Sequence, residues 1–226
     1  MQNAEPLFVV CGADEVPTSD HWLSPEERAV LDTLHVPPRR ADFRLGRWTA
    51  KRALDLAYRE TTADDPPEWC IRAAEDGAPE AFAGGDRPAP FAISLSHRAG
   101  LAAATAAPAG VRIGVDLELV EPRSDAMIEQ FFTRRERERL ADEPLATRAL
   151  AACLVWSAKE SVLKAERTGL RADTRELEVD FVALPVGGAW TNLRVTRRVR
   201  PASGRVLARL LERPGATWVL TWATLD

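Results

Sequence analysis

Part of this chain's pattern is written twice. Leu23–Leu31 reads LSPEERAVL and Phe132–Leu140 reads FTRRERERL, both of the form L/F-S/T-x-x-E-R-x-x-L. In each, a Ser or Thr followed three residues later by Glu makes a capping box, the start signal of a helix. Pro25 adds the residue favoured at the first helical position. A second signature then recurs, Trp48–Lys51 as WTAK and Trp156–Lys159 as WSAK, 24 residues after Ser24 and 23 after Thr133. Matched signals at matched spacing predict two similar halves, over 1–110 and 111–226. A cleft between two such halves is a favoured ligand site.

Both halves read as α+β. The first offers a strand at LFVVCG, helices near 24–34 and 39–59, a Pro-, Asp- and Gly-rich loop from Thr61 to Pro90, and strands at FAISLS and LAAATAA. The second offers a β run at VRIGVDLELV and helices near 124–130, 133–141 and 145–167. Its tail alternates apolar and polar residues in LEVDFVAL, WTNLRVTRRV, RVLARLLE and TWVLTWATL, as half-buried antiparallel strands do. With 46% hydrophobic and 28% charged residues the chain is not disordered, and a net charge of −4 excludes a protein that coats nucleic acid. Cys11, Cys70 and Cys153 are widely spaced, without a CxxC, which fits neither zinc nor a disulfide framework. The start MQNAEPLFVVCGADE lacks the basic n-region of a signal peptide, and AGLAAATAAPAG is too short to span a bilayer. A cytoplasmic protein without membrane or nucleic-acid partners is expected.

The two copies differ in their charges. On the helix RRADFRLGRWTAKRAL, Arg40, Arg44, Arg47 and Lys51 fall at i, i+4, i+7 and i+11, one narrow stripe with no acidic residue within it. The stripe is either a solvated face or a surface for phosphates. After the shared lysine the first copy has Arg52, the second Glu160. In VWSAKESVLKA, Trp156, Glu160 and Lys164 share a helical face. An ordinary exposed Glu–Lys pair would be worth about 0.2–0.5 kcal/mol. Asp116 and Glu118 of GVDLELV lie at i and i+2 of a β run, both on one side. They mark either the wet face of an edge strand or, with Glu160, an all-oxygen site for a hard cation such as Mg²⁺. Ser96, His97 and Arg98 close the strand ISLSHR; adjacent strand residues face oppositely, so Ser96 and His97 are poorly placed as nucleophile and base. They better suit binding of a terminal phosphate.

SLSHR, IGVDLE and WSAKESVLK, in that order, resemble the 4'-phosphopantetheinyl transferases of the larger, monomeric Sfp-type class. The central motifs are G-I/V-D-x-E and W-x-x-K-E-x-x-x-K, and the likeness runs from FRLGRWTAKRAL through DGAPEAF to Lys164. It implies two α+β halves related by a pseudo-twofold with coenzyme A between them, and Asp116, Glu118 and Glu160 as ligands of Mg²⁺, or of Mn²⁺. It implies Lys164 near the diphosphate, Lys159 as the cofactor-binding lysine that precedes the metal-binding glutamate, Ser96 and His97 at the 3'-phosphate, Lys51 at the nucleotide phosphates, and Arg47 as part of a Gly-Arg pair common in part of the family. Arg40 and Arg44 extend that basic surface. Ala78 stands where many members carry lysine, which removes one cation.

The implied reaction moves phosphopantetheine from coenzyme A to a serine of an apo acyl, peptidyl or aryl carrier protein, releasing 3',5'-ADP. Glu160 and a water on the metal are both candidates for the base that takes the serine proton, with Asp116 and Lys164 completing the catalytic set. The alternatives are another Mg²⁺-dependent enzyme of nucleotide diphosphates, or a module that binds coenzyme A or a carrier without turnover.

Overall fold

The computed structural model describes residues 6–181, 183–197 and 204–226. The chain divides into two compact units, the first ending at Ile113 and the second starting at Gly114. Both are α+β.

The first unit runs β1 (Phe8–Gly12), α1 (Pro25–Thr33), α2 (Pro37–Thr61), β2 (Trp69–Ala73), β3 (Pro79–Ala83), β4 (Arg87–Pro88), β5 (Phe91–Arg98) and β6 (Leu101–Pro108). The segment read as a long loop therefore carries three short antiparallel strands. β1, β6 and β5 form an antiparallel sheet in that order. β5 and β6 are joined through Ala99 and Gly100, both at positive φ (51° and 76°), the twist that a two-residue hairpin turn requires. Five of the eight residues of β6 are alanine, so the long helix packs close: Ala50, Ala53, Leu54 and Ala57 of α2 join Ala104, Ala106, Phe91 and Ile93 in one core.

The second unit runs β7 (Arg112–Leu119), α3 (Asp125–Phe131), α4 (Arg134–Asp142), α5 (Leu145–Ala165), β8 (Leu177–Asp180), β9 (Thr191–Arg197), β10 (Gly204–Arg213) and β11 (Ala216–Leu225). β7 begins two residues inside the first unit. The expected strands extend over Val182 and 198–199 as well, which lie outside the described residues. The sheet order is β7-β11-β10-β9-β8. The first, last and next-to-last strands of each unit thus lie side by side in the same order, so the repeated sequence corresponds to a repeated topology. α5 is buried nearly all round, from Ala151 to Lys159 and at Ser161, Val162, Leu163 and Ala165, as expected of a helix inside a core rather than on its surface. Its buried Ser157 meets Thr221 of β11, hydroxyl to hydroxyl at 2.8 Å, and Thr221 also donates to the Ser157 carbonyl.

The capping boxes explain why the repeat holds a glutamate and a lysine. Glu27 Oε2 accepts from Ser24 N at 2.8 Å and from Lys51 Nζ at 2.7 Å, while Oε1 accepts from Ile71 N at 3.0 Å. Glu136 Oε2 accepts from Thr133 N at 2.7 Å and from Lys159 Nζ at 2.6 Å, while Oε1 accepts from Val179 N at 2.8 Å. The lysines donate in turn to the carbonyls of Trp22 and Phe131, at 2.9 and 3.0 Å. Beside each pair stands an aromatic contact, Trp22 with Trp48 and Phe131 with Trp156, at 5.2 and 5.1 Å between centroids.

Candidate metal and phosphate site

Gly114 sets the second unit's site. A Cβ there would lie 1.8 Å from the Ser161 carbonyl oxygen and 2.8 Å from Ala165 N, so only glycine lets the backbone of α5 lie directly on β7. Residues two apart on a strand share a face, so Asp116 and Glu118 point toward the same helix. Opposite them α5 presents Trp156, Glu160 and Lys164 at successive turns.

The contacts follow from that approach. Lys164 Nζ donates to Asp116 Oδ1 at 2.8 Å and to the Val115 carbonyl at 3.0 Å. Trp156 Nε1 donates to Glu118 Oε1 at 3.0 Å, and Arg123 Nη2 donates to Glu118 Oε2 at 2.6 Å. Glu160 Oε1 is buried without a hydrogen-bond partner. Burial, then the charge of Asp116, push the Glu160 carboxyl up to about 7, with Glu118 adding to the rise and Lys164 opposing it. The three carboxylates therefore feel one another. Among the described residues, however, no three His, Cys, Asp or Glu side chains already surround a common metal position. Lys164 and Arg123 hold two of the carboxylates instead.

By donor type these residues suit a hard divalent cation, although among the described residues they do not already converge on one position. The donor set is oxygen only, as Mg²⁺ requires, and the partnerless Glu160 oxygen is a buried acceptor awaiting positive charge. Crowding three carboxylates costs free energy that a cation would offset.

The other anticipated residues are placed differently. Arg40 donates to the carbonyls of Leu31 and Leu34, closing the C-terminus of α1. Arg44 pairs with Asp20 at 2.7 Å and donates to the Pro17 carbonyl. Arg47 lies 3.7 Å from Glu27 and over the Phe43 ring, and Lys51 shares that carboxylate. The stripe forms one face, but its half-buried cations are already engaged by carbonyls and acids of segment 17–34. Lys159 is likewise fully buried on Glu136, away from solvent. At the end of β5, Ser96 is half-buried and His97 exposed, with His97 Nδ1 3.9 Å from Asp42 Oδ2. His97 and Leu95 lie beside Gly46, where a larger residue would press on Leu95 at 3.4 Å. Ala78 follows Gly77 (φ 83°) in the β2–β3 turn, its N–H donating to Asp76.

Arg123 and the buried glutamates Glu27 and Glu136 were not anticipated as site or partner residues. For the glutamates the signal was present, because the repeat conserves a Glu and a Lys together between its two copies. For Arg123 nothing in the local pattern sets it apart from other arginines.

A family model described as the 4'-phosphopantetheinyl transferase superfamily matches residues 112–211, a stretch holding Asp116, Glu118, Glu160 and Lys164. No curated protein matches the chain. Among solved structures, a holo-(acyl-carrier-protein) synthase from Thermotoga maritima is similar at 15% identity and TM-score 0.38, over 51% of this chain and 64% of that one. This chain thus spans a little under two thirds of that protein's length. A holo-(acyl-carrier-protein) synthase from Bacillus anthracis, in complex with CoA, is similar at 18% identity and TM-score 0.38, over 51% of this chain and 96% of that one. Among the described residues no helix is long and apolar enough to cross a membrane.

Proposed function

We propose that the protein is a phosphopantetheinyl transferase of the larger Sfp-type class, moving phosphopantetheine from coenzyme A to a serine hydroxyl of an apo carrier protein. The observation that carries this reading is the juxtaposition of Asp116 and Glu118 on β7 with Glu160 and Lys164 on α5, within the stretch that matches the superfamily. Asp116, Glu118 and Glu160 would hold Mg²⁺ or Mn²⁺, which when bound neutralises charge on the diphosphate oxygens. Lys164, tied to Asp116 in the free protein, places an ammonium beside the same site for the transferring phosphoryl group. Glu160 and a water on the cation are both candidates to take the serine proton; without a cation, burial and the charge of Asp116 raise the Glu160 carboxyl to about 7. Trp156 and Arg123 hold Glu118 in place. His97 and Arg98, exposed at the end of β5, suit a terminal phosphate better than the covered stripe does.

Incubation with coenzyme A, Mg²⁺ and a panel of apo carrier proteins, followed by intact-mass measurement, tests the reading. At least one carrier gains the phosphopantetheine mass and 3',5'-ADP appears. Coenzyme A binding with no carrier modified would leave only a binding module. Arg44→Ala separates the stripe from the ligand. It lowers the urea midpoint, because Asp20 and the Pro17 carbonyl lose their donor, and leaves coenzyme A affinity within about twofold. A tenfold weaker affinity at unchanged stability would return the stripe to phosphate binding.

A further inference from the structure

We propose that the buried Glu136–Lys159 pair is a positioning device that fixes the rotation of α5, so that the neighbouring Glu160 faces Asp116 and Glu118. This rests on the reading of those three carboxylates as one site. α5 is buried around almost its whole circumference, much of it by small side chains such as Ala151, Ala152, Ser157, Ala158 and Ser161. A helix wrapped this way has no strong apolar stripe to set its angle. Directional contacts then select the orientation; Ser157–Thr221, Trp156–Glu118 and Lys164–Asp116 are among them, and Lys159 supplies the fully buried ionic one.

The pair has the geometry of a fixed peg. Glu136 is anchored to backbone at two points, Thr133 N and Val179 N, before Lys159 reaches it. Lys159 adds a second bond to the Phe131 carbonyl, which Thr174 Oγ1 also contacts at 2.7 Å. Successive helical residues differ by about 100°, so fixing Lys159 fixes the direction of Glu160. Stability alone does not account for the pair, because buried ion pairs cost several kcal/mol in desolvation and apolar replacements are often neutral. Their best-attested use is to select one register. Lys51–Glu27 repeats the device atom for atom in the first unit, where the next residue is Arg52 and no carboxylate needs aiming. It is a built-in control.

The test compares the full-length chain with Lys159→Met, Glu136→Gln/Lys159→Met and the control Glu27→Gln/Lys51→Met. Three quantities are read: thermal midpoint, Mn²⁺ affinity, and the indole N–H resonance of Trp156, which reports its bond to Glu118 independently of metal. Lys159→Met lowers the midpoint by leaving a buried carboxylate uncompensated. The neutral double variant recovers most of that loss, yet moves the Trp156 resonance and weakens Mn²⁺ binding about 10- to 100-fold, as for other residues that orient metal ligands. The control leaves both readouts unchanged. An unmoved Trp156 resonance in the double variant overturns the proposal and makes the pair merely structural. Should the parent bind no Mn²⁺, the metal reading falls, while the resonance still decides the positioning role. Glu136→Gln, nearly isosteric, gives the same decision if the double variant does not fold.

Discussion

Asp116→Ala and Glu160→Ala each lower carrier modification by about 10³-fold or more, while the cooperative unfolding transition persists. Both residues sit where β7 meets α5, and in the proposed function both serve the cation rather than the core. The stability change gives a separate check on Glu160. Its carboxyl rises from 4.5 to about 7 on folding, so the folded state binds the proton more tightly than the unfolded chain. Without metal, that burden on folding is fully present above pH 7, shrinks as pH falls, and is gone below about pH 4.5. Glu160→Gln therefore raises the urea midpoint at pH 8 and leaves it unchanged near pH 4. The gain and the lost activity together would mark a functional carboxylate kept at a cost to stability. Full activity in an alanine variant would remove that residue from the chemistry, and a destabilised Glu160→Gln at pH 8 would remove the stability cost assigned to its buried charge.

The helices were legible because their ends are written locally. α1 and α4 begin one residue after the Ser and Thr of the capping boxes, and α5 runs from Leu145 as the sequence indicates. β2, β3 and β4 were not, because their short apolar pieces are interrupted by Pro66, Pro67, Gly77 and Gly84–Gly85 and show too little alternation. The cluster around Asp116 was legible from the i, i+2 spacing on a strand. The fate of the basic stripe was not. Its counter-charges, Asp20 and Glu27, lie 24 and 20 residues before Arg44 and Arg47. A helical wheel sees only its own helix, so a stripe without internal acids reads as open when another segment covers it. Lys159 shows the same limit, since its neighbour Glu160 suggested shared chemistry although the two side chains leave the helix in different directions.

Gly114→Ala has the largest effect expected on the fold itself. The added methyl would sit 1.8 Å from the Ser161 carbonyl oxygen, and the obstacle is helix backbone rather than the end of a flexible side chain. No rotamer relieves it, so α5 must move off β7 by more than an ångström, although it is buried all round. Overpacking of this kind costs about 3 kcal/mol or more, a large share of the roughly 5–15 kcal/mol that holds a domain together. Gly46→Ala is the comparison, because its methyl meets only Leu95 Cδ1 at 3.4 Å, a contact that side chain can yield. Urea titrations followed by tryptophan fluorescence should show a large drop in midpoint for Gly114→Ala and a small one for Gly46→Ala. Whatever Gly114→Ala protein stays folded should also lose the Trp156–Glu118 and Lys164–Asp116 bonds, since both cross the contact being forced apart. Equal midpoints for the two variants would mean that β7 and α5 do not approach this closely, and with that the glycine of G-V-D-L-E would lose its physical explanation.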